Sequence, residues 1–221
     1  MLPGLILPLQ GCATGSYSAE SIEARVVDAD TGQPVEGVVV DAFWLLSQGS
    51  FGGGGVPPPP LQILETVTDK NGHFKFPAWG PIPNRTSGTY FWGKDPLLIF
   101  FKRGYDMSGH ENRITGEPNE DRLRKSDWNR QTIKVGKFKE SMRAYADQVS
   151  FTEGDLQYYV GHNCDWKRIP RMLAELYLLG QEFNRQGVKL PLGVTPVGDL
   201  RIYSNNGGCG SAEEFIRSYL R

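Results

Sequence analysis

Three cysteines and three histidines are the residues of this sequence best suited to nucleophilic, redox or metal chemistry. His162, Cys164 and Asp165 lie close together, and side chains of these types can bind a metal ion. The other histidines, His73 and His110, are distant in sequence, so these residues supply only part of a metal site. We therefore expect no metal, no cofactor and no catalytic residue. The alternative hypothesis is an enzyme of unrecognised type with its active site near His162.

The first cysteine, Cys12, follows the short apolar run LPGLILPL and the residues Gln10 and Gly11. This arrangement resembles the bacterial lipobox, in which a small residue precedes a cysteine that is diacylated and becomes the mature N-terminus. The resemblance implies that Cys12 is the lipid-attachment residue and that residues 1–21 are a lipoprotein signal peptide and tether. Acyl chains on Cys12 would anchor the chain to a membrane. In Gram-negative lipoproteins a residue other than Asp after the cysteine implies the outer membrane, so by this resemblance Ala13 implies the outer membrane, facing the periplasm.

The apolar run is short, and no Lys or Arg precedes it. A true start codon upstream of Met1 would explain both features. If Cys12 carries lipid, Cys164 and Cys209 remain as an even pair, and a disulfide between them would persist in an oxidising compartment. The alternative is a soluble cytoplasmic protein with three free thiols.

The elements that must position these residues begin at Ile22. Two apolar runs rich in β-branched residues, Ile22–Val27 and Val35–Trp44, flank the turn sequence DADTGQP. Its Gly and Pro favour a tight reversal of the chain, so we predict a β-hairpin here. The 27 glycines and 15 prolines, many of them in the first hundred residues, are typical of a β architecture with many turns. We expect a mainly β protein, with a β-sandwich up to about Phe138.

Three segments of this part of the chain follow the order of a known family: DADTGQPVEGVVV, then TDKNGHFKF, then FFKRGYD at 100–106. They resemble the carboxypeptidase regulatory-like domain, in which a T-G-x-P-V-x-G-V pattern is followed by T-D-x-x-G-x-F-x-F and by K/R-G-Y. The resemblance covers residues 22–138 and implies a transthyretin-like or Ig-like β-sandwich. It implies no particular activity, because one fold serves many functions.

The same hairpin also resembles that of the intradiol dioxygenases, which share this sandwich. Those enzymes hold ferric iron with two tyrosines and two histidines, and the histidine pair lies on a strand after the second hairpin. The matching strand here, Pro96–Phe101, contains no histidine. We therefore do not expect iron chemistry.

Residues 77–97 are longer than the corresponding loop of the regulatory-like family, and they hold several aromatic residues. Trp79, Tyr90 and Trp92 are the candidate ligand-binding residues, because exposed aromatic rings on a rigid sandwich can contact sugar rings or a partner. The alternative, which we favour, is that Trp79 and Trp92 pack over the end of the sandwich, since aromatic side chains bury large areas.

After the sandwich the apolar residues change to helical spacing. The pattern predicts a short helix over Glu140–Val149 and a longer one from Ile169 to Gln186. A last helix should begin at Ser211, where Ser211 and Glu214 fit a capping box. We assign residues 139–221 to an α-helical C-terminal segment.

The charge balance bears on the class of partner. With 24 Lys and Arg against 25 Asp and Glu, the net charge is −1 and both signs are interspersed, so no nucleic-acid partner is expected. The sequence as a whole predicts a non-enzymatic envelope lipoprotein. It would act as a structural or binding module for a glycan or another envelope protein. In the alternative enzyme, the active site would lie between the sandwich and the helices.

Overall fold

The computed structural model describes residues 15–48, 58–84, 88–91, 94–113, 123–204 and 208–220. Cys12 and Trp92 lie outside these ranges. The described chain forms twelve strands: β1 (Ser16–Ala19), β2 (Ile22–Asp28), β3 (Val39–Trp44), β4 (Leu46–Gln48), β5 (Gln62–Val67), β6 (His73–Phe76), β7 (Trp79–Pro83), β8 (Thr89–Phe91), β9 (Leu97–Phe101), β10 (Ser108–His110), β11 (Leu123–Arg124) and β12 (Thr132–Val135). The helices that follow are α1 (Met142–Val160), α2 (Pro170–Arg185), α3 (Arg201–Ser204) and α4 (Ala212–Ile216), with 3₁₀ turns at Asp165–Arg168 and Arg217–Tyr219.

Two sheets pack face to face and form the sandwich. The central sheet has the strand order β10-β9-β3-β5, and the outer sheet has the order β12-β2-β6. Apolar side chains from both sheets form one buried cluster, which includes Val26 and Phe74 from the outer sheet and Val40 and Phe100 from the central sheet. The predicted fold class, a mainly β sandwich with a C-terminal helical segment, is confirmed.

The second face of the central sheet is also covered. Every residue of β3 and β9 is buried, and successive residues alternate between the two faces. Val40 and Trp44 point into the sandwich, whereas Val39 and Phe43 join a second apolar cluster with residues of α1 and α2. The molecule therefore has three layers: outer sheet, central sheet and helices.

The hairpin predicted over Ile22–Trp44 is wrong, because β2 and β3 belong to different sheets. The reversal begins as predicted, with Asp28 N–H donating to Gln33 O at 2.8 Å and a bridge between Val27 and Pro34. A second turn at Gly37, whose φ is +74°, then directs the chain across to the central sheet. The pairing stops because the buried side chains on either side of this turn must fill the space between the sheets.

The helical segment follows the sequence pattern more closely. The longer helix predicted from Ile169 to Gln186 is confirmed as α2, with Pro170 in its first turn. Ser211 caps α4, and its hydroxyl accepts the N–H of Glu214 at 3.2 Å. The first helix is longer than the predicted Glu140–Val149 and extends over 19 residues. No helix in the described part of the chain is long and apolar enough to span a membrane.

The disulfide between Cys164 and Cys209 is present, as predicted. Cys164 immediately precedes the 3₁₀ turn that leads into α2, and Cys209 lies two residues before Ser211, the N-cap of α4. The bond therefore holds the starts of the two helices together. The bonded residues are 45 positions apart in the sequence.

We predict that reduction lowers the free energy of unfolding by about 4 kcal/mol, the chain-entropy value for a closed loop of this size. Urea denaturation of the full chain, with and without reductant, measures the difference. The double variant Cys164→Ala/Cys209→Ala should unfold at the same urea concentration in both conditions. Equal stability of the wild-type chain with and without reductant would contradict the prediction.

Candidate binding pocket

Trp79 and Tyr90, two of the candidate ligand-binding residues, lie at the edge of the sandwich, and Trp79 packs on the sandwich as the favoured alternative predicted. Trp79 is half-buried in β7 and packs edge-on against Trp44, with ring centroids 5.3 Å apart. Tyr90 is half-buried in β8, a strand that pairs only with β4 among the described strands. Trp92 lies outside the described residues. Trp79 thus extends the sandwich core, and neither described residue lines the pocket found on the helical segment.

His162, the centre of the alternative enzyme hypothesis, lies in the turn after α1 with its side chain exposed. The neighbouring Cys164 is oxidised in the disulfide and offers no thiolate. Across the described ranges, no group of three or more His, Cys, Asp or Glu side chains could hold a metal ion. The interface between sandwich and helices is filled by apolar side chains and by the carboxyl groups of Asp41 and Glu65, which the sequence did not predict as site residues.

A pocket of about 500 Å³ lies on the helical segment. One side is α2, another is the segment 196–201, and a third is the start of α4. The polar and aromatic side chains of its lining are Tyr177, Gln181, Asn184, Asp199, Arg201, Ser211 and Glu213. None of them was predicted as a site residue, since the pocket combines three elements that are separate in the sequence.

The segment 196–199, here called the pocket wall, packs backbone against backbone on α2. A Cβ atom on Gly180 of α2 would lie 2.0 Å from Val197 O, and one on Gly198 would lie 2.4 Å from Leu176 O. Gly198 also has a φ of +69°, which favours glycine. Any side chain at either position would force the wall away from α2.

A buried carboxyl group holds the same wall from the other side. Glu153 of α1 is only 4% exposed, and its two oxygens accept the N–H of Gly198 at 3.1 and 3.0 Å. Burial raises the pKa of Glu153 to about 7; the hydrogen bond from Gly198 opposes this rise, and the charge of Asp199 adds to it. The sequence did carry a signal, since Glu153 falls at helical spacing between the buried Val149 and Leu156.

The polar groups of the pocket differ in how far they are already paired. Asp199 and Arg201 form a two-pronged ion pair at 2.8 and 2.6 Å, and this bond holds the pKa of Asp199 below its usual value. The side-chain amides of Gln181 and Asn184 are exposed and make no hydrogen bond to another described residue. Two donor–acceptor groups are therefore available to a ligand beside a fixed ion pair.

Two further carboxyl groups, one buried and one half-buried, lie under the start of α2. Asp41 of β3 is fully buried and stands directly opposite Glu65 of β5 on the helix-facing side of the central sheet. Glu65 accepts the N–H groups of Arg171 and Met172 at 3.0 and 2.9 Å, so its carboxylate caps α2. Neither Asp41 oxygen accepts a hydrogen bond from a donor in the described chain.

Two neighbouring carboxyl groups repel each other when both are ionised, so this arrangement favours the protonated form of at least one of them. Burial, and then the charge of Glu65, raise the pKa of Asp41 well above its usual value, and burial raises the pKa of Glu65 to about 7. The pair therefore titrates as a unit that keeps a proton at neutral pH. Asp41 is a charged residue within the apolar run Val38–Trp44, and this position was the sequence signal that could have identified it. No ligand can reach it, so its role is in the fold.

Comparison with known proteins found weak similarity to solved structures. No family model matches the chain, and no curated protein matches it. One similar solved structure is the 3-chlorocatechol 1,2-dioxygenase from Rhodococcus opacus 1CP, with 17% identity over 58% of this chain and 62% of that chain and a TM-score of 0.31. Another is the Streptococcal ancillary pilin, with 14% identity over 55% of this chain and 30% of that chain and a TM-score of 0.29. The dioxygenase domain of a dioxygenase carbohydrate-binding protein fusion from Streptomyces sp. SirexAA-E has 14% identity, coverage of 62% and 94% and a TM-score of 0.30.

This chain thus matches less than two thirds of the length of the chlorocatechol dioxygenase and of the pilin. At these identities and scores, the similarity says nothing about activity, ligand or partner.

The buried carboxyl groups predict an unusual pH dependence of stability. Asp41, Glu65 and Glu153 have raised pKa values in the folded chain, so between pH 5 and 7 the folded state binds more protons than the unfolded state. Their stabilising contribution is complete below their ordinary pKa values and is lost as the pH rises through the folded values. Stability should therefore fall from pH 5 to pH 7, by about 1.4 kcal/mol per pH unit for each proton.

The variant Asp41→Asn removes one of these protons, and we expect a shallower fall and a gain in stability at pH 7 relative to wild type. Urea denaturation at pH 5, 6 and 7 measures the slope. Asp155→Asn, at an exposed carboxyl group of α1, is the matched control and should keep the wild-type slope. An unchanged slope in Asp41→Asn would show that Asp41 is ionised in the folded chain.

Proposed function

We propose that this protein is a non-enzymatic envelope lipoprotein that acts as a binding module, and that the helical pocket binds a glycan. The observation that carries the proposal is a pair of exposed amide side chains, Gln181 and Asn184, which make no hydrogen bond to another described residue and line an open pocket of about 500 Å³. That volume lies in the range of about 300–1,000 Å³ that is common for small-molecule sites.

The chemistry of the lining suits a ligand rich in hydroxyl groups. Each amide both donates and accepts hydrogen bonds, as a sugar hydroxyl does, so the two can match one another in either direction. Tyr177 adds an aromatic side chain to the same lining, and Glu213 adds an acceptor. The ion pair of Asp199 and Arg201 leaves no isolated charge at that position for a strongly charged ligand.

The family assignment and the location belong to the same proposal. The β-sandwich supports membership of the carboxypeptidase regulatory-like family, whose segments here form the crossing between the sheets and the end of β9. The Cys164–Cys209 disulfide supports an oxidising compartment such as the periplasm. Attachment of lipid to Cys12 would place the chain at the outer membrane, facing the periplasm.

Calorimetric titration of the full chain with neutral oligosaccharides and soluble peptidoglycan fragments tests the pocket. Asn184→Ala and Gln181→Ala should each weaken binding about five- to tenfold, the loss expected for one neutral hydrogen bond. Gln33→Ala, an exposed amide on the sandwich, should bind as the wild type does. Absence of binding to every saccharide, or equal binding by all variants, would contradict the glycan proposal.

Intact mass of the protein from a native membrane fraction tests the location. We expect a chain that starts at Cys12, carries acyl chains and gains about two hydrogens on reduction of the disulfide. The variant Cys12→Ala should lose the acyl mass and leave the membrane fraction. An unmodified chain starting at Met1 in the soluble fraction would overturn the lipoprotein assignment.

A further inference from the structure

The pocket wall has an unusual attachment to the rest of the protein. On the α2 side the two backbones touch at Gly180 and Gly198, and the Val197 side chain joins the apolar cluster that contains residues of α1 and α2. On the α1 side the wall is held by the carboxyl group of Glu153 at Gly198, and next to it Ser150 Oγ donates to Thr195 O at 3.3 Å. A shift of the wall away from α1 would expose Glu153 to water and would break its hydrogen bonds.

We propose that the wall is proton-linked: segment 196–199 closes against α1 and α2 with uptake of a proton on Glu153, and opens with release of that proton. This inference rests on the proposed function only where it concerns ligand binding, because the wall lines the pocket. The linkage itself is a property of the empty protein.

The direction follows from the burial of the carboxyl group. In the closed state the ionised form must give up its water, which is costly, while the protonated form loses little. The ordinary pKa of 4.5 therefore applies to the open wall, and the value of about 7 applies to the closed wall. The closed wall is fully favoured below pH 4.5, and this advantage is lost as the pH rises through 7.

The difference between the two values sets the size of the effect. A shift from 4.5 to about 7 corresponds to a change of about 300-fold in the ratio of open to closed wall between strongly acidic and alkaline pH. Between pH 5 and pH 8 the expected change is roughly 50- to 100-fold. A ligand that requires the closed wall would bind more tightly at mildly acidic pH.

The described titratable groups that face Glu153 keep their charge between pH 5 and pH 8, whereas Glu153 changes its protonation state. Asp199 of the wall is paired with Arg201, which lowers its pKa, so it stays ionised above pH 5. Tyr203 of α3 is fully buried, and burial raises its pKa well above the usual value, so it stays neutral. Both groups keep a constant charge while Glu153 gains or loses its proton.

Hydrogen exchange of the Gly198 amide tests the proposal directly, because that N–H donates to Glu153. The protection factor, which is the intrinsic exchange rate divided by the observed rate, is measured by NMR on the full chain without ligand from pH 5 to pH 8. We expect it to fall roughly 50- to 100-fold in wild type. In Glu153→Gln, which keeps an acceptor and loses the titration, it should not change with pH.

The amide of Ala42, in the middle of β3, reports global unfolding in the same experiment. Gly198 should exchange faster than Ala42, which shows local opening. The control Glu65→Gln removes a different buried carboxyl group, so it should reduce the pH dependence at Ala42 and leave that at Gly198 intact. If Glu153→Gln does not fold, Asp199→Asn replaces it, and should move the Gly198 transition to lower pH because the charge of Asp199 raises the pKa of Glu153.

Three results would overturn the proposal: protection at Gly198 that does not vary with pH, the same pH dependence in Glu153→Gln, or exchange of Gly198 only together with Ala42. Since no ligand is present, these results concern the wall alone. The saccharide titration decides separately whether the pocket binds a glycan.

Discussion

The central sheet is buried on both faces, and the arrangement of the rest of the molecule depends on this. All residues of β3 and β9 are withdrawn from water, so one face requires the outer sheet and the other requires α1 and α2. Burial of each large apolar side chain contributes about 1.5–3 kcal/mol. Removal of the helices would expose Phe43 and Ile99 together with their neighbours on that face. The helical segment is thus the third layer of one folded body.

Two carboxyl groups, Asp41 and Glu65, lie at this interface, and a third, Glu153, lies within the helical layer; each has a different role. Glu65 caps α2, Glu153 holds the pocket wall, and Asp41 lies opposite Glu65, where burial and the charge of Glu65 raise its pKa. Buried carboxyl groups in apolar surroundings are costly when ionised, so the fold keeps protons on them at pH values where exposed carboxyl groups have lost theirs. The contact between sandwich and helices therefore depends on pH through Asp41 and Glu65, and the contact between α1 and the pocket wall depends on pH through Glu153.

Local features of the fold could be predicted from the sequence, and non-local ones could not. The turn after Asp28, the start of α2 at Pro170 and the cap at Ser211 depend on neighbouring residues, and all three are present. Pairing of β2 with β6 and of β3 with β5 and β9 depends on which apolar faces meet across the sandwich. A turn sequence between two apolar runs does not determine whether the chain stays in one sheet or crosses to another.

The candidate site was missed for a related reason. In the sequence, Gly180 is a residue of low helix propensity within a helix. Its role in allowing close contact with Val197 O is visible only in the structure. Exposed amides such as Gln181 and Asn184 are ordinary on a helix surface, and they become notable because the wall and the start of α4 enclose them. The aromatic residues drew attention by their type, yet Trp79 is used to cover Trp44.

The disulfide makes the shape of this pocket depend on the redox state of the compartment in which the protein folds. Ser211 and Glu213, which line the pocket, follow Cys209 closely, while Cys164 leads into α2, which supplies the opposite side. The bond therefore limits how far the two sides can separate, and it reduces the ordering cost that a ligand would otherwise meet on binding. In a reducing compartment the start of α4 would be held by the packing of Ala212 and Ile216 and by the Ser211 cap. An oxidising location would thus favour a preformed pocket, which links the cysteine pair to the proposed binding role.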